Sequence, residues 1–277
     1  MERCPSCEGD KVAFRPGRLT IEAAVCECVQ ECPECAGSGW QVRDQSSVVC
    51  GCQRLVGRVR LLNESGLPAR YWDSRLNNFV RRVERHDHHL EFLRRWVGGF
   101  QPRNKGLLFV GPVGLGKTHL AIAVLRQLML DRGVSTRFVE WLDLLSQVRA
   151  TFNSPGTERD VLRPLIEAPV LVVDELGKGR RGSEWELGIL DQLIGARYNR
   201  QAPTIFTTNY PLQEAMDPGA AGPGGRPADL SSLERLREYM GEPSLREKVG
   251  NRIFSRVVDM STPVELHGAP DYRVSGP

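Results

Sequence analysis

The sequence has no cysteine beyond residue 52, no apolar run long enough to cross a bilayer, no apolar stretch at its start and no strong excess of one charge. The missing apolar runs argue against a membrane span or a secretory leader, so the expected location is cytoplasmic. A net charge of +3 says little about partners, but its distribution says more. Residues 1–53 hold five basic and eight acidic side chains, whereas residues 54–100 hold ten arginines against five acids. An acidic head is thus followed by a basic neck that has the charge to meet phosphates.

What is present suffices for one sizeable α/β core plus a small appendage: 277 residues, 40% of them apolar and 26% charged. All eight cysteines fall in the head, and they repeat. C-P-S-C-E-G leads to C-E-C, and C-P-E-C-A-G leads to C-G-C. Each half therefore offers a CxxC and a CxC, four thiolates for one tetrahedral zinc. Sequential pairing puts one Zn²⁺ on Cys4, Cys7, Cys26 and Cys28 and the other on Cys32, Cys35, Cys50 and Cys52. Spacing alone leaves a crossed pairing open, and disulfides or an iron–sulfur cluster are the competing uses. Four thiolates leave no position for a substrate, so two structural zinc sites are expected, in a module that docks a protein rather than grips a phosphate backbone.

In the neck, Leu55, Val59 and Leu62 recur at helical spacing from Gln53 on, Gly66 and Pro68 break the chain, and a second helical stretch within 71–100 ends at Gly98–Gly99. His86, His88 and His89 sit among arginines and acids and read as a solvated helix face, because no cysteine or paired acid completes a metal set. The arginines read first as a solvated face, with contact to nucleic acid as the second use.

The strongest signal follows. Leu107–Val110 is a short apolar run, as in a buried parallel strand, and Gly111-Pro112-Val113-Gly114-Leu115-Gly116-Lys117-Thr118 after it fits G-x-x-x-x-G-K-[ST]. The glycines let backbone N–H groups close on phosphates at the start of a helix. Gly111 through Thr118, with His119 after them, are the candidate ATP-binding residues; Lys117 reaches the β- and γ-phosphates and the Thr118 hydroxyl meets Mg²⁺. A second buried run, Val170–Val173, ends in Asp174 and Glu175, the Walker B pattern: Asp174 holds Mg²⁺ and Glu175 activates water. A strand at Thr136–Glu140 and a helix from Trp141 stand between the two motifs, the mark of the additional-strand branch of P-loop ATPases. The strand Thr204–Thr208 ends at Asn209, by itself an ordinary turn residue, but similar in position to the polar sensor 1 of AAA+ proteins, which helps place water near the γ-phosphate. Capping boxes at Ser183/Glu186, Ser231/Glu234 and Ser244/Glu247 start three helices, the last carrying Arg252 and Arg256 opposite Phe254, Val257 and Val258. Residues 217–227 read as a Gly/Pro-rich insertion.

These motifs, in this order, resemble the AAA+ family of bacterial replicative-helicase loaders, the DnaC/DnaI group, and the related IstB-type transposition helpers. The resemblance runs over roughly residues 64–275 and includes Ser65-Gly66-Leu67-Pro68-Ala69-Arg70-Tyr71, GPVGLGKTHL, VLVVDELG, TIFTTNY, and the tail from Arg252-Ile253-Phe254-Ser255-Arg256 to Asp271-Tyr272-Arg273. It implies a five-stranded parallel sheet between helices, with Arg256 as arginine finger, Arg252 as its alternate and Arg273 as sensor 2. It further implies self-assembly into a ring or spiral filament on ATP, single-stranded DNA in the channel, and an N-terminal module that holds the partner. The duplicated cysteine head and the 217–227 insertion depart from the family pattern. The expected layout is a zinc-binding module over 1–53, a basic helical neck over 54–103 and an AAA+ ATPase domain over 104–277. The function so implied is an ATPase that loads a replicative helicase or a similar ring. A transposition helper binding target DNA and a transposase is the alternative, and a zinc-bearing docking adaptor with a nucleotide switch is the third.

Overall fold

A computed structural model describes residues 4, 6–7, 9–29, 32, 34–36, 38–43, 46–153, 155–179, 183–212, 241, 243–268 and 271–272. The insertion at 217–227, the Ser231/Glu234 box and Arg273 lie outside the described residues.

Five strands, β5 (Gly106–Val110), β6 (Thr136–Glu140), β7 (Val170–Asp174), β8 (Thr204–Thr208) and β9 (Ser261–Glu265), form one sheet in the order β6-β7-β8-β5-β9. Every pairing in it is parallel. Buried parallel strands must be apolar on both faces, and the inner strands β5 and β7 are, up to the Asp174 that ends β7. Leu107 and Phe109 join Val170 and Val172 on one face, while Leu108 and Val110 join Leu171 and Val173 on the other. The first face is covered by α1 (Gln53–Glu64), α2 (Arg85–Gly98) and α3 (Lys117–Gln127), which bring Leu62, Leu90, Leu93 and Leu120. The second is covered by α4 (Trp141–Ala150), α5 (Glu158–Glu167), α6 (Glu184–Asn199), α7 (Leu245–Val249) and α8 (Asn251–Met260). Among the described residues, no helix is long and apolar enough to cross a membrane.

The capping boxes at Ser183/Glu186 and Ser244/Glu247 are reciprocated, and Thr157/Asp160 makes a third that a search for Glu or Gln at N3 passes over. One expectation needs correction. The helix begun at Ser244 does not run on to Arg252; Gly250, at φ 81°, ends α7, and α8 starts afresh at Asn251. The second neck helix lies within residues 71–100 and ends at Gly98, as expected; it begins at Arg85, after a 3₁₀ turn at Ala69–Tyr71 and an irregular stretch.

The cysteine repeat folds into two antiparallel hairpins, β1 (Val12–Pro16) with β2 (Ile21–Val25), and β3 (Trp40–Arg43) with β4 (Ser46–Val49). They are treated differently. Val12, Phe14, Ile21 and Ala23 of the first hairpin belong to the same core cluster as Leu62, Leu67 and Leu120. Asn63, near the end of α1, accepts from the Ala23 N–H at 2.7 Å and donates to its carbonyl at 3.0 Å. Arg126 of α3 is 3% exposed, lies over the Phe14 ring at 3.6 Å, and donates to Asp10 at 3.2 Å and to the Trp72 carbonyl at 3.1 Å. Among the described residues, the second hairpin joins neither core cluster.

Arg197 on α6 is fully buried. Its guanidinium donates to the carbonyls of Leu165, Ile166, Ala168 and Pro203 and to the Thr204 hydroxyl, so one side chain fastens the end of α5 and the start of β8. No carboxylate is among these partners, and burial pushes its pKa down to about 9. Arg197→Met removes the donors and strands several buried acceptors; we expect a loss of about 3 kcal/mol or more in urea unfolding, measured as a lower midpoint at unchanged slope.

Candidate functional site

In a parallel sheet the cleft for a ligand opens at the carboxyl ends of the strands, where crossover helices leave in opposite directions. Here β5 is that strand: its chain crosses toward β6, while β9 adds on its other side. The loop from Gly111 to Gly116 joins β5 to α3, and its glycines at 111, 114 and 116 have φ of 145°, 80° and 79°. A Cβ at Gly111 would stand 2.1 Å from the Leu266 carbonyl oxygen, and one at Gly116 would stand 2.6 Å from the Phe79 ring, so the loop closes only without side chains there.

Lys117 is 6% exposed, and its Nζ donates to the carbonyls of Gly111 at 2.7 Å and Pro112 at 2.6 Å, which places the ammonium inside the loop. Next to it, Thr118 Oγ1 donates to Asp174 Oδ1 at 3.0 Å. From β8, between β5 and β7, Thr207 Oγ1 donates to the same carboxylate oxygen at 2.5 Å and accepts from the Glu175 N–H at 2.9 Å. Burial pushes the Asp174 carboxyl up to about 6; the hydrogen bonds from Thr207 and Thr118 oppose this, and the nearby charges of Glu175 and Glu140 add to it. Glu175 adopts φ 56°, a conformation that side-chain-bearing residues hold only under constraint. Its carboxylate pairs with Lys178, which also reaches Glu140 at 3.2 Å.

Gly116, Lys117, Thr118, Glu175 and Thr207 line a cleft of about 260 Å³ together with Arg70, Tyr71, Asn78, Phe79, Val113, Gly114, His119, Asn209 and Tyr272. The structure therefore brings Lys117, Thr118, Glu175 and Asn209 to one cleft, with Asp174 bonded to Thr118 at its floor. His119 lines it with its ring edge-on to Phe79 and its Nε2 at 2.9 Å from the Arg75 carbonyl oxygen. Arg256 and Arg252 stand elsewhere, both on Asp191 of α6, at 2.7 and 3.6 Å, and neither lines the cleft. The chain just before Arg273 does reach the site: the Tyr272 N–H donates to the Gly114 carbonyl at 3.0 Å.

Sequence reasoning missed two parts of this cleft. One is Thr207, whose strand the apolar pattern marks but whose side chain no motif singles out. The other is an aromatic wall. Phe79 meets Tyr272, His86 and His119 edge-on at 5.2 to 5.6 Å, and the Tyr272 hydroxyl donates to the Val80 carbonyl at 2.5 Å. The solvated reading of the three histidines accordingly fails for His86, which is 1% exposed behind that wall. A helix-start His seven residues after a Phe carries no local mark of this; the Tyr that completes it is 186 positions away.

The cysteines form two groups, Cys4, Cys7, Cys26 and Cys28, and Cys32, Cys35, Cys50 and Cys52, each with its sulfurs within 4.8 Å of one another. Close pairs are 3.5 to 3.8 Å apart. A disulfide requires about 2.05 Å. Sulfurs bound about 2.3 Å from a tetrahedral zinc lie roughly 3.8 Å apart, which is the arrangement found. The donor set and its geometry fit Zn²⁺, and the grouping follows sequence order rather than crossing.

Sheet order, loop and cleft together define a P-loop fold of the AAA+ type. Residues 88–217 match the family described as IstB-like ATP binding protein. The replicative helicase loader DnaC of Escherichia coli strain K12 is 31% identical over 162 residues, 58% of this chain and 65% of that protein. The match thus spans just under two thirds of that relative. The ATP-binding protein of insertion sequence IS5376 from Geobacillus stearothermophilus is 36% identical over 115 residues, 42% of this chain and 44% of that one. The crystal structure of the DnaC helicase loader superposes with a TM-score of 0.56 at 29% identity, over 71% of this chain and 98% of the other. That of DnaI gives 0.52 at 23% identity, over 73% and 95%, and speaks for the fold alone.

Elemental analysis of the full chain should find two zinc ions. Cys35→Ser should leave one ion and an unchanged core. Cys7→Ser should also leave one, but lower the melting temperature by roughly 5 °C or more, because its hairpin is part of the core.

Proposed function

We propose that this chain is a Mg²⁺-dependent ATPase that loads a hexameric replicative helicase, or a similar ring, onto single-stranded DNA. The observation that carries the ATPase part is the set of contacts around Asp174: the P-loop hydroxyl of Thr118, the Thr207 hydroxyl and the Glu175 N–H meet at one strand end, beside the Lys117 ammonium. Lys117 turns from the loop carbonyls to the β- and γ-phosphates of ATP. Thr118 and Asp174 hold Mg²⁺, which supplies neutralisation of phosphate charge when bound. Glu175, aimed by its left-handed backbone and the Thr207 hydrogen bond, takes the proton of the attacking water, and Asn209 orients that water. Arg256 acts on the cleft of a neighbouring copy, with Arg252 as its alternate, since both stand away from their own; Arg273 follows Tyr272 as sensor 2, directed at the nucleotide.

The division into a zinc module (1–53), a basic neck (54–103) and an AAA+ core (104–277) gives the head the role of holding the partner and the neck a path for the DNA backbone. The resemblance to DnaC supports the loader reading. The match to IstB-like proteins and to the IS5376 protein favours a second reading, a transposition helper on target DNA.

Glu175→Gln should keep ATP affinity within a few-fold and lower steady-state hydrolysis by roughly 100-fold or more, whereas Lys117→Ala should lose nucleotide binding itself. Filter binding alongside phosphate release separates the two. The loader reading is tested by co-elution of the full chain, with ATP, with the replicative helicase of the same source. Co-elution, and its absence with a transposase, supports it; no complex in any nucleotide state transfers the weight to the transposition helper.

A further inference from the structure

The two halves of the cysteine repeat are built alike. Val12 and Trp40 stand at the same distance after Cys7 and Cys35, and Phe14 and Val42 follow two residues later. The hairpins share their register: Val12 pairs with Val25 as Trp40 does with Val49, and Phe14 with Ala23 as Val42 does with Ser47. In the first half this face is covered, with Val12 at 0% and Phe14 at 8% exposure. In the second half the same face is open, with Trp40 at 57% and Val42 at 80%. An exposed Trp beside an exposed Val on a hairpin this small is a cost in water that a covering surface would remove.

The covered half shows what such a face accepts. The end of α1 lies against it, contributing Leu62 and the Asn63 amide, and the Arg126 guanidinium lies over the Phe14 ring. Charge points the same way. Residues 31–52 contain Glu31, Glu34 and Asp44 against Arg43 alone, and four thiolates around a divalent ion add further negative charge. An indole is also the aromatic ring that holds a cation best. We propose that the Trp40–Val42 face of the second hairpin is the docking surface for the partner protein, which seats on it the end of a basic amphipathic helix with an arginine over the Trp40 ring. The first module is then a fixed part of the core and the second is the recognition element. The partner's identity rests on the loader reading above: it is the ring helicase.

The test titrates purified helicase of the same source, with ATP, against the full chain and its Trp40→Ser/Val42→Ser variant. Zinc content and nucleotide affinity serve as checks of integrity. The expected result is an affinity roughly tenfold or more weaker, with both zinc ions and ATP binding retained, while Val48→Ser on the opposite face of the hairpin leaves affinity unchanged. If the double variant loses a zinc ion, Trp40→Lys alone takes its place, since it keeps the backbone and repels the arginine. Equal binding by wild type and variant overturns the docking face and leaves the loader reading standing. Failure of the wild type to bind overturns both. If the variant binds helicase normally but no longer self-associates, the face belongs to a second copy, and the proposed occupant is wrong.

Discussion

A carboxylate buried at the end of a central strand must be hydrogen-bonded or it will not stay charged, and the arrangement of this cleft follows from that requirement at Asp174. Its donors come from the helix after β5 and from β8, so satisfying one side chain aligns three adjacent strands at their carboxyl ends. Thr207 makes the link two-sided, because its oxygen also accepts from the backbone of Glu175 and so contributes to the unusual φ there. The residues proposed to hold the metal and to activate water are thereby tied into one hydrogen-bonded unit. A change at any of them is felt by the others.

A second constraint joins the head to this unit. Arg126 belongs to the same helix as Lys117 and Thr118, and its buried guanidinium is satisfied by Asp10 and the Trp72 carbonyl while it lies over Phe14. Burial pulls its pKa down to about 10, which leaves it charged in neutral water and dependent on those partners. The first hairpin is thus more than a tethered ornament. Its apolar face completes the core that holds the P-loop helix in place, and the aromatic wall of Phe79, His86 and Tyr272 closes the same cluster near the cleft.

Much of this was legible in the sequence because it is written locally. The strand–loop–helix around Gly111–Thr118, the apolar run ending in Asp174–Glu175, and the paired CxxC and CxC motifs each need only neighbours along the chain to be recognised. What escaped depends on residues far apart. His86 is surrounded by charged neighbours in sequence, and only the return of Tyr272 makes its site dry. Arg126 and Arg197 look like ordinary helix-surface arginines until the hairpin and the ends of α5 and β8 close over them. The break at Gly250 was readable from a glycine between two short helical patterns, but the amphipathic run beyond it masked the stop. The role proposed for Arg256 in a neighbouring copy comes from resemblance, not from a local residue pattern.

Because the first hairpin shares its apolar face with the core, any free energy gained when its thiolates take up a metal would be part of the folding free energy of the nucleotide-binding half. The second hairpin, outside both core clusters among the described residues, meets the rest of the chain at the start of α1, where Cys52 stands at the N-cap. Metal supply would then act on the chain in two separable ways. Scarcity at the second cluster would silence a surface while leaving the ATP-binding cleft intact, and scarcity at the first would withdraw support from the cleft itself.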